Sequence, residues 1–269
     1  MRGASADSLA ALTDALGSTV AVGADAYQVA DDLFAVSDLL RREPSVRRLA
    51  TDQSLASDAK AGFVRQLLGE QVSGASMELV ATAVGRRWAA TRDLSDALEQ
   101  LGVITVVRAA DAEGHADALE DELFGFGRLV SENPELRDAL SDPVRSMTDK
   151  RALLHSLLDG RATAATIRLA EQSIAGSHRT VAVAVKEYQK VAAEHRSRLV
   201  ATVRVARELG DADKQRLEGA LSGQYGRDVH LNVVVDPEVM GGMKVDIGDD
   251  VIDGTVASRL DDARRRLAG

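Results

Sequence analysis

One segment near the C-terminus decides the fold, because its pattern changes from strand to turn and back to strand within a short span. It reads Val233-Val-Val-Asp-Pro-Glu-Val-Met-Gly-Gly-Met-Lys-Val-Asp-Ile-Gly-Asp-Asp-Val-Ile-Asp-Gly-Thr255. The Asp-Pro pair at 236–237 ends the first apolar run, since proline has no N–H to offer a sheet. The Gly-Gly pair at 241–242 allows positive φ. Apolar and polar residues then alternate over 243–247, which predicts a half-buried strand.

The remainder of this segment predicts a return strand and the start of a helix. Residues 248–250 have the composition of a turn, and Val251-Ile252 begins the return strand. Residues 253–255 predict a second turn, and a final helix follows over 255–267, capped by Asp253 or Thr255.

Two further strands and a helix complete a small α+β unit. Residues 199–206 and 228–235 alternate as strands. Between them, residues 211–222 predict a helix with an acidic start and with Gly223 at its end. These elements together predict a C-terminal α+β domain over residues 199–269.

The residues before this domain show the apolar spacing of helices. Leu9, Leu12 and Leu16 recur at helical spacing, and a second apolar stripe over 29–40 ends at Pro44. Further helices are predicted at about 58–69, 75–90, 92–109, 113–131, 134–140, 148–159, 163–176 and 180–198. Short Gly- and Ser-rich breaks favour antiparallel bundles. The predicted fold class is therefore mainly α, with tandem helical bundles followed by the small α+β domain.

An internal repeat appears when the helical region is compared with itself at an offset of about 90 residues. The matches are Leu33-Phe34 with Leu123-Phe124, Leu39 with Leu129, Pro44 with Pro134, Arg47 with Arg137, Asp52 with Asp142, Lys60 with Lys150, and Leu67-Leu68 with Leu157-Leu158. The register holds without a gap through both prolines, which favours duplication. We therefore predict an added bundle over residues 1–112 and a second bundle over residues 113–198.

Composition excludes several classes of function. A formal charge of −9 argues against a nucleic-acid-binding protein, because phosphate binding needs a positive surface. The absence of cysteine excludes disulfides and thiolate chemistry. No apolar run approaches the roughly 18 residues of a membrane span, and the N-terminus lacks the apolar core of a signal peptide. We expect a soluble chain that reaches a membrane only through a partner.

No pattern in the chain predicts catalysis. A Gly-x-x-x-x-Gly-Lys-[Ser/Thr] loop is absent, and Gly125-Phe126-Gly127 lies in a helical run, where it indicates close helix contact. A helical zinc site requires two histidines three or four residues apart, and no two of the five histidines have this spacing. The acidic group Asp246, Asp249, Asp250 and Asp253 lacks the spacing of a calcium loop and favours turn and capping roles. We predict no catalytic, cofactor-binding or metal-binding residue.

Apolar helix faces are the remaining candidates for function. They comprise Phe63, Val64, Leu67 and Leu68, the repeat equivalents Leu153, Leu154, Leu157 and Leu158, then Met77, Val80, Ala81 and Val84, and finally Ile167, Ala170 and Ile174. Bundle core accounts for most of these residues. A groove between two helices that receives a partner's amphipathic helix is the other interpretation.

The C-terminal segment is similar to the signature of the F-type ATP synthase delta subunit family, also called the oligomycin-sensitivity-conferring protein family. The residues that carry the resemblance are Asp236, Pro237, Gly241, Gly242, Gly248, Asp249, Val251, Ile252, Asp253, Gly254, Arg259 and Leu260. Thr255 stands where serine is usual. Residues 113–269 resemble the whole family arrangement, and residues 1–112 look like the added bundle of some bacterial long forms. The tyrosine of the family's usual first helix is missing from Leu9-Ala10-Ala11-Leu12, and the second copy lacks a first helix unless residues 92–109 serve both copies.

This resemblance implies a structural subunit without catalytic residues or a cofactor. Such a chain is a peripheral-stalk, or stator, subunit of the proton-translocating ATP synthase. It binds the N-terminal helices of alpha subunits in the catalytic head and joins the b-type stalk, as a peripheral protein on the cytoplasmic face of the cell membrane. Two alternatives stay open on the residues alone: a helical-repeat adaptor with an unrelated partner, and an enzyme that uses the Asp-rich turns.

Overall fold

The computed structural model describes residues 1–21, 25–195, 199–207, 209–225, 229–237, 239, 241–247 and 250–254. The chain divides into two compact units, Met1–Val191 and Ala192–Gly269. The helices of the described part are α1 Ala4–Ala21, α2 Ala26–Arg42, α3 Pro44–Thr51, α4 Ser57–Leu68, α5 Gly74–Gly85, α6 Asp93–Ala112, α7 Ala116–Glu132, α8 Pro134–Ser141, α9 Met147–Leu158, α10 Ala164–Ala175, α11 Val181–His195 and α12 Asp211–Tyr225. Its strands are β1 Leu199–Val205, β2 Val229–Val235, β3 Met243–Ile247 and β4 Asp250–Asp253. The predicted fold class, mainly α with a small C-terminal α+β part, is confirmed.

The helical unit is built from two copies of one four-helix sequence. Helices α2, α3, α4 and α5 have the same lengths as α7, α8, α9 and α10, and each begins 90 residues before its counterpart. Pro44 begins α3 and Pro134 begins α8. Proline is favourable there because the first N–H of a helix has no partner within the helix. The structure therefore carries the duplication that the sequence matches indicate.

Burial follows the same repeat. Leu33 and Leu123 are both fully buried, and so are Val29 and Leu119, which lie one turn earlier. The repeat extends to a buried charged residue, since Lys60 and its equivalent Lys150 are both largely buried. Burial lowers the pKa of the Lys60 ammonium. Each copy thus packs the same face of its helices inward.

Helix α6 lies between the two copies and packs against both. It contacts α1, α2, α3 and α5 of the first copy and α7 and α10 of the second. Its buried residues cover most of the helix surface, and Asp96, Gln100, Ile104 and Arg108 form the one stripe that is not buried. Such broad burial is the pattern of a central helix. At Gly102 a Cβ atom would lie 2.5 Å from the Phe34 ring, so this glycine admits the closest approach of α2. Residues 92–109 therefore do serve both copies.

The C-terminal unit contains one four-stranded sheet. Its strand order is β2-β1-β3-β4, with β1 and β2 parallel and the other pairs antiparallel. Helix α12 connects the two parallel strands, since a parallel pair needs a crossover. Its Leu221 packs with alternate residues of the strands, including Ala201, Val203, Val245 and Ile247. This small core positions the signature segment.

Several boundaries differ from those predicted. Helix α3 was not predicted, although its counterpart at 134–140 was. Pro44 ends the apolar stripe of α2, but it also occupies the first turn of a new helix. Helix α5 ends at Gly85 rather than near residue 90. Helix α12 continues through Gly223 to Tyr225, so that glycine does not end it. The predicted helix over 255–267 lies outside the described residues. Across the described part of the chain, no helix has the length and apolar character needed to cross a membrane.

Candidate interaction surfaces

The first half of the C-terminal signature forms a sharp turn after β2. The backbone N–H of Asp236 donates to the carbonyl of Val205 at 2.8 Å, which extends the β1–β2 pairing by one residue. The N–H of Gly241 donates to the carbonyl of Val239 at 2.8 Å. Gly241 and Gly242 have φ of 67° and 79°, a region that L-residues with a side chain rarely adopt. The expected positive φ is therefore confirmed, and the pair lets β3 begin.

The second half of the signature forms the edge strand β4 of the sheet. Ile252 pairs with Val245, and Asp253 pairs with Lys244, in the antiparallel β3–β4 ladder. The N–H of Gly254 donates to the carbonyl of Met243 at 2.9 Å, and a Cβ at this position would lie 3.2 Å from the same oxygen. The described signature residues thus make backbone turns and pairings. Gly248, Asp249, Arg259 and Leu260 lie outside the described residues, as does Thr255.

The acidic group of the signature does not form a metal site in the described part of the chain. Asp246 makes an ion pair with Arg204 across the sheet, and Asp250 accepts a 3.2 Å hydrogen bond from the Tyr225 hydroxyl. No group of three metal-ligating side chains occurs among the described residues. Asp246 lies in β3 and Asp250 begins β4, so the structure places both in strands rather than in the turn and capping positions that the sequence predicted.

The apolar helix faces lie mainly in the core, as the simpler interpretation expects. Nine of these residues are buried: Val64, Leu68, Met77, Val80, Ala81, Val84, Leu154, Leu158 and Ala170. Leu67 is 38% exposed, and Phe63, Leu153, Leu157, Ile167 and Ile174 are partly buried. Gly127 lies close to α11, because a Cβ there would lie 3.3 Å from Val185, whereas Gly125 has open space around it. The predicted close contact is therefore confirmed for one glycine of the pair.

A cluster of polar groups at the seam between the two copies was not predicted. The Glu99 carboxylate of α6 is only 3% exposed and accepts a 2.6 Å hydrogen bond from Arg41 of α2. It also accepts the backbone N–H of Ser177 at 2.9 Å and the Tyr188 hydroxyl at 3.2 Å. Burial, followed by the neighbouring Glu99 carboxylate, raises the pKa of the Tyr188 phenol far above its usual range. The available signal was that Glu99 lies among the apolar positions of α6, next to Leu98 and one turn before Val103, whereas Asp96 and Gln100 lie on its polar stripe.

Two cavities flank this cluster. One has a volume of about 510 Å³ and is lined by residues that include Arg47, Glu99 and Tyr188. The other, of about 650 Å³, lies between α2 on one side and α9 and α10 on the other. Arg168 bridges the second cavity, with a 3.4 Å ion pair to Asp31 and its guanidinium 4.4 Å from the centre of the Tyr27 ring. The seam is therefore polar, and it contains open space both beside the Glu99 cluster and around Arg168.

Comparison with known proteins decides the family. The model of the ATP synthase delta (OSCP) subunit family matches residues 105–267. An ATP synthase subunit delta from Nocardioides sp. is 54% identical over 269 residues, which covers 100% of this chain and 98% of the relative. Relatives of the same name from Streptomyces avermitilis and Streptomyces coelicolor are each 47% identical, cover 99% and 100% of this chain, and are themselves covered to 98%. The chain belongs to the ATP synthase delta (OSCP) subunit family.

The family match begins at residue 105, so it includes the end of α6 together with the second copy and the C-terminal unit. A chain of the Toxoplasma gondii mitochondrial ATP synthase hexamer is 17% identical, covering 62% of this chain and 95% of that chain, but a TM-score of 0.34 is too low to support an argument. The matches to the Nocardioides and Streptomyces relatives span nearly the whole chain, so they include the first copy as well.

Proposed function

We propose that this chain links the catalytic head of the F-type ATP synthase to its peripheral stalk and so keeps the head from turning with the rotor. As a delta family member the chain is a peripheral-stalk subunit of that enzyme. The observation that carries this function is the 54% identity to an ATP synthase subunit delta over the full length of both chains. An adaptor with an unrelated partner finds no support among these relatives.

We infer further that the helical unit binds N-terminal helices of alpha subunits and that the C-terminal unit binds the b-type stalk. Two compact units in one chain suit a link between two partners. Each contact must hold against torque, and a nanomolar contact is worth about −12 kcal/mol. Two contacts on one chain add avidity as long as both can be engaged together. The duplicated bundle then lengthens the link or adds a second contact with the stalk.

The chain itself is proposed to be non-catalytic. The Glu99 cluster is the buried polar centre of the helical unit, and its carboxylate is satisfied by protein donors rather than directed at a substrate. The signature residues that the structure describes are used in turns and strand pairing. Purified chain should therefore show no nucleotide hydrolysis above a blank, while the assembled enzyme retains its activity.

The proposed location is the cytoplasmic face of the cell membrane, reached through the complex. Affinity purification of the tagged chain from mildly solubilised membranes should recover alpha, beta, gamma and b subunits. Chemical cross-linking of that complex should join the helical unit to alpha and the C-terminal unit to b. Recovery of the chain alone would overturn the proposal, and the reverse cross-links would exchange the two assignments.

The added copy has its own test. Density for residues 1–112 in a cryo-EM map of the complex should touch the stalk or the head. If these residues touch neither partner, the duplication does not extend the link.

A further inference from the structure

The Glu99 carboxylate joins groups from both helical copies at one buried point. Arg41 comes from α2 of the first copy, whereas Ser177 and Tyr188 follow α10 in the second. Glu99 itself lies on the shared helix α6. A carboxylate that accepts three hydrogen bonds from separate elements fixes their relative positions, because each bond has a narrow range of length and angle.

Arg41 strengthens this junction with its second terminal nitrogen. That nitrogen donates at 3.0 Å to the carbonyl of Ala175, the last residue of α10. The guanidinium therefore bridges from α2 directly to the C-terminal end of a second-copy helix, where a cation is favoured by the helix dipole. Lysine cannot make both contacts with one fixed fork of donors.

The backbone at Gly176 lies in close contact with the Glu99 carboxylate. A Cβ on Gly176 would lie 2.2 Å from a Glu99 carboxylate oxygen, so the loop after α10 approaches as closely as glycine permits. The junction lines one side of the cavity of about 510 Å³, since Arg41, Glu99 and Tyr188 all face it. Away from the junction, the seam contains the second cavity, of about 650 Å³, and the half-exposed pair of Arg168 and Asp31. The Glu99 junction is thus a buried set of hydrogen bonds that joins the copies beside open space.

We propose that Glu99 is a positioning residue that sets the angle between the two helical copies. Buried ion pairs of this kind add little net stability compared with apolar substitutes, so orientation is the property they confer here. The consequence for the enzyme rests on the proposed stator function: a fixed angle between the copies makes the link stiff. The junction itself exists whether or not the chain binds the ATP synthase.

The test measures the distance between the copies in the full chain by double electron–electron resonance. Since the chain has no cysteine, two labels can be placed cleanly. Gln66→Cys on α4 and Ser156→Cys on α9 are exposed and equivalent in the repeat. A label pair at Asp14→Cys on α1, which packs against α5 of the first copy, and Gln66→Cys on α4 serves as the internal reference.

The decisive variant combines Arg41→Met, Glu99→Met and Tyr188→Phe, which removes every side chain of the junction without leaving a lone buried charge. We expect a modest loss of thermal stability, because the Ser177 N–H and the Ala175 carbonyl lose their partners. We also expect a wider inter-copy distance distribution and an unchanged reference pair. An unchanged inter-copy distribution would overturn the proposal. If this variant does not fold, Arg41→Lys keeps the charge but not the fork. It must also widen the inter-copy distribution, and a wild-type distribution in Arg41→Lys would overturn the proposal equally.

A matched control removes the exposed link of the same seam through Asp31→Asn with Arg168→Gln. We expect this pair of changes to leave the inter-copy distribution as it is. A widening as large as that of the junction variant would show that any seam contact suffices, and would overturn the special role of Glu99. Failure of the wild-type chain to copurify would refute the stator function alone, because the distance measurement stands independently.

Discussion

The Asp32 carboxylate accepts a 2.8 Å hydrogen bond from the backbone N–H of Ser73. Ser73 is the N-cap of α5. An acid on α2 therefore accepts a hydrogen bond at the N-terminus of a helix 41 residues further along the chain. In the second copy, Glu122 of α7 accepts the N–H of Thr163, the N-cap of α10, also at 2.8 Å. Both acids satisfy an N–H that the helix cannot pair and lie at the positive end of its dipole.

Loss of either acid should destabilise the helical unit. Asp32 is buried and Ser73 is partly buried, and removal of the acid abolishes a hydrogen bond to a charged acceptor, at a cost of about 1–3 kcal/mol. Asp32→Ala and Glu122→Ala should therefore lower the free energy of unfolding by that amount, measured with urea and far-UV circular dichroism. Asp14→Ala, an exposed acid on α1, is the control and should change it by less than about 0.5 kcal/mol. Equal effects of Asp32→Ala and Asp14→Ala would refute the capping role.

Glycine substitutions should have opposite signs on two neighbouring helices. Gly102→Ala places a methyl group against the Phe34 ring in the close contact between α6 and α2. It should destabilise the protein by about 1–3 kcal/mol. Gly125→Ala meets no atom within 4 Å and should stabilise by about 0.5–1 kcal/mol through helix propensity. Urea unfolding of both variants measures the difference. Combining Gly102→Ala with Phe34→Leu should restore part of the loss, and no restoration would mean that the clash is not the cause.

The two copies should unfold together, because α6 belongs to the core of both. Leu123→Ala in the second copy costs about 2–5 kcal/mol, as does its counterpart Leu33→Ala in the first. The single tryptophan, Trp88, is buried in the first copy and reports its unfolding by fluorescence. We expect Leu123→Ala to shift the Trp88 transition as far as Leu33→Ala does. A transition that responds only to Leu33→Ala would establish two independent domains, divided near residue 112 as the sequence suggests.

The sequence predicted elements whose signals are local. Alternation over 243–247, the Gly-Gly pair and the prolines each act on neighbouring backbone, so β3, the turn before it and the end of α2 could be assigned directly. The offset of 90 residues predicted the duplication for the same reason, since equivalent core positions keep equivalent residues. Helix α3 could have been found by applying the repeat to the predicted helix at 134–140.

The seam between the copies depends on contacts that no local pattern contains. Arg41 and Glu99 are 58 residues apart, and Arg41 and Ala175 are 134 apart. An acid in an apolar helix signals a buried partner but does not identify it. Likewise, a helix such as α6 with a wide apolar surface predicts extensive burial, and only the fold shows that its neighbours come from both copies.

His155 should make the stability of the helical unit depend on pH. Its Nδ1 lies 2.8 Å from Asp159, and its Nε2 lies 2.7 Å from Glu171, so only the protonated ring donates to both carboxylates. Hydrogen bonds to Asp159 and then to Glu171 raise the pKa of His155 above its ordinary value. Because the folded pKa exceeds the unfolded one, the stabilisation is complete below the unfolded pKa of about 6.5 and disappears as pH rises through the folded pKa.

The comparison of wild type with His155→Gln isolates this contribution. The side chain is 43% exposed, so solvent screening limits the effect to at most about 1 kcal/mol. Urea unfolding at about pH 5.5 should show the wild type to be the more stable, and the difference should shrink toward zero near pH 9. Titration of the His155 ring protons by NMR should give a midpoint above that of a model peptide. A stability difference that grows with pH would mean that the neutral ring, rather than the protonated one, makes these contacts.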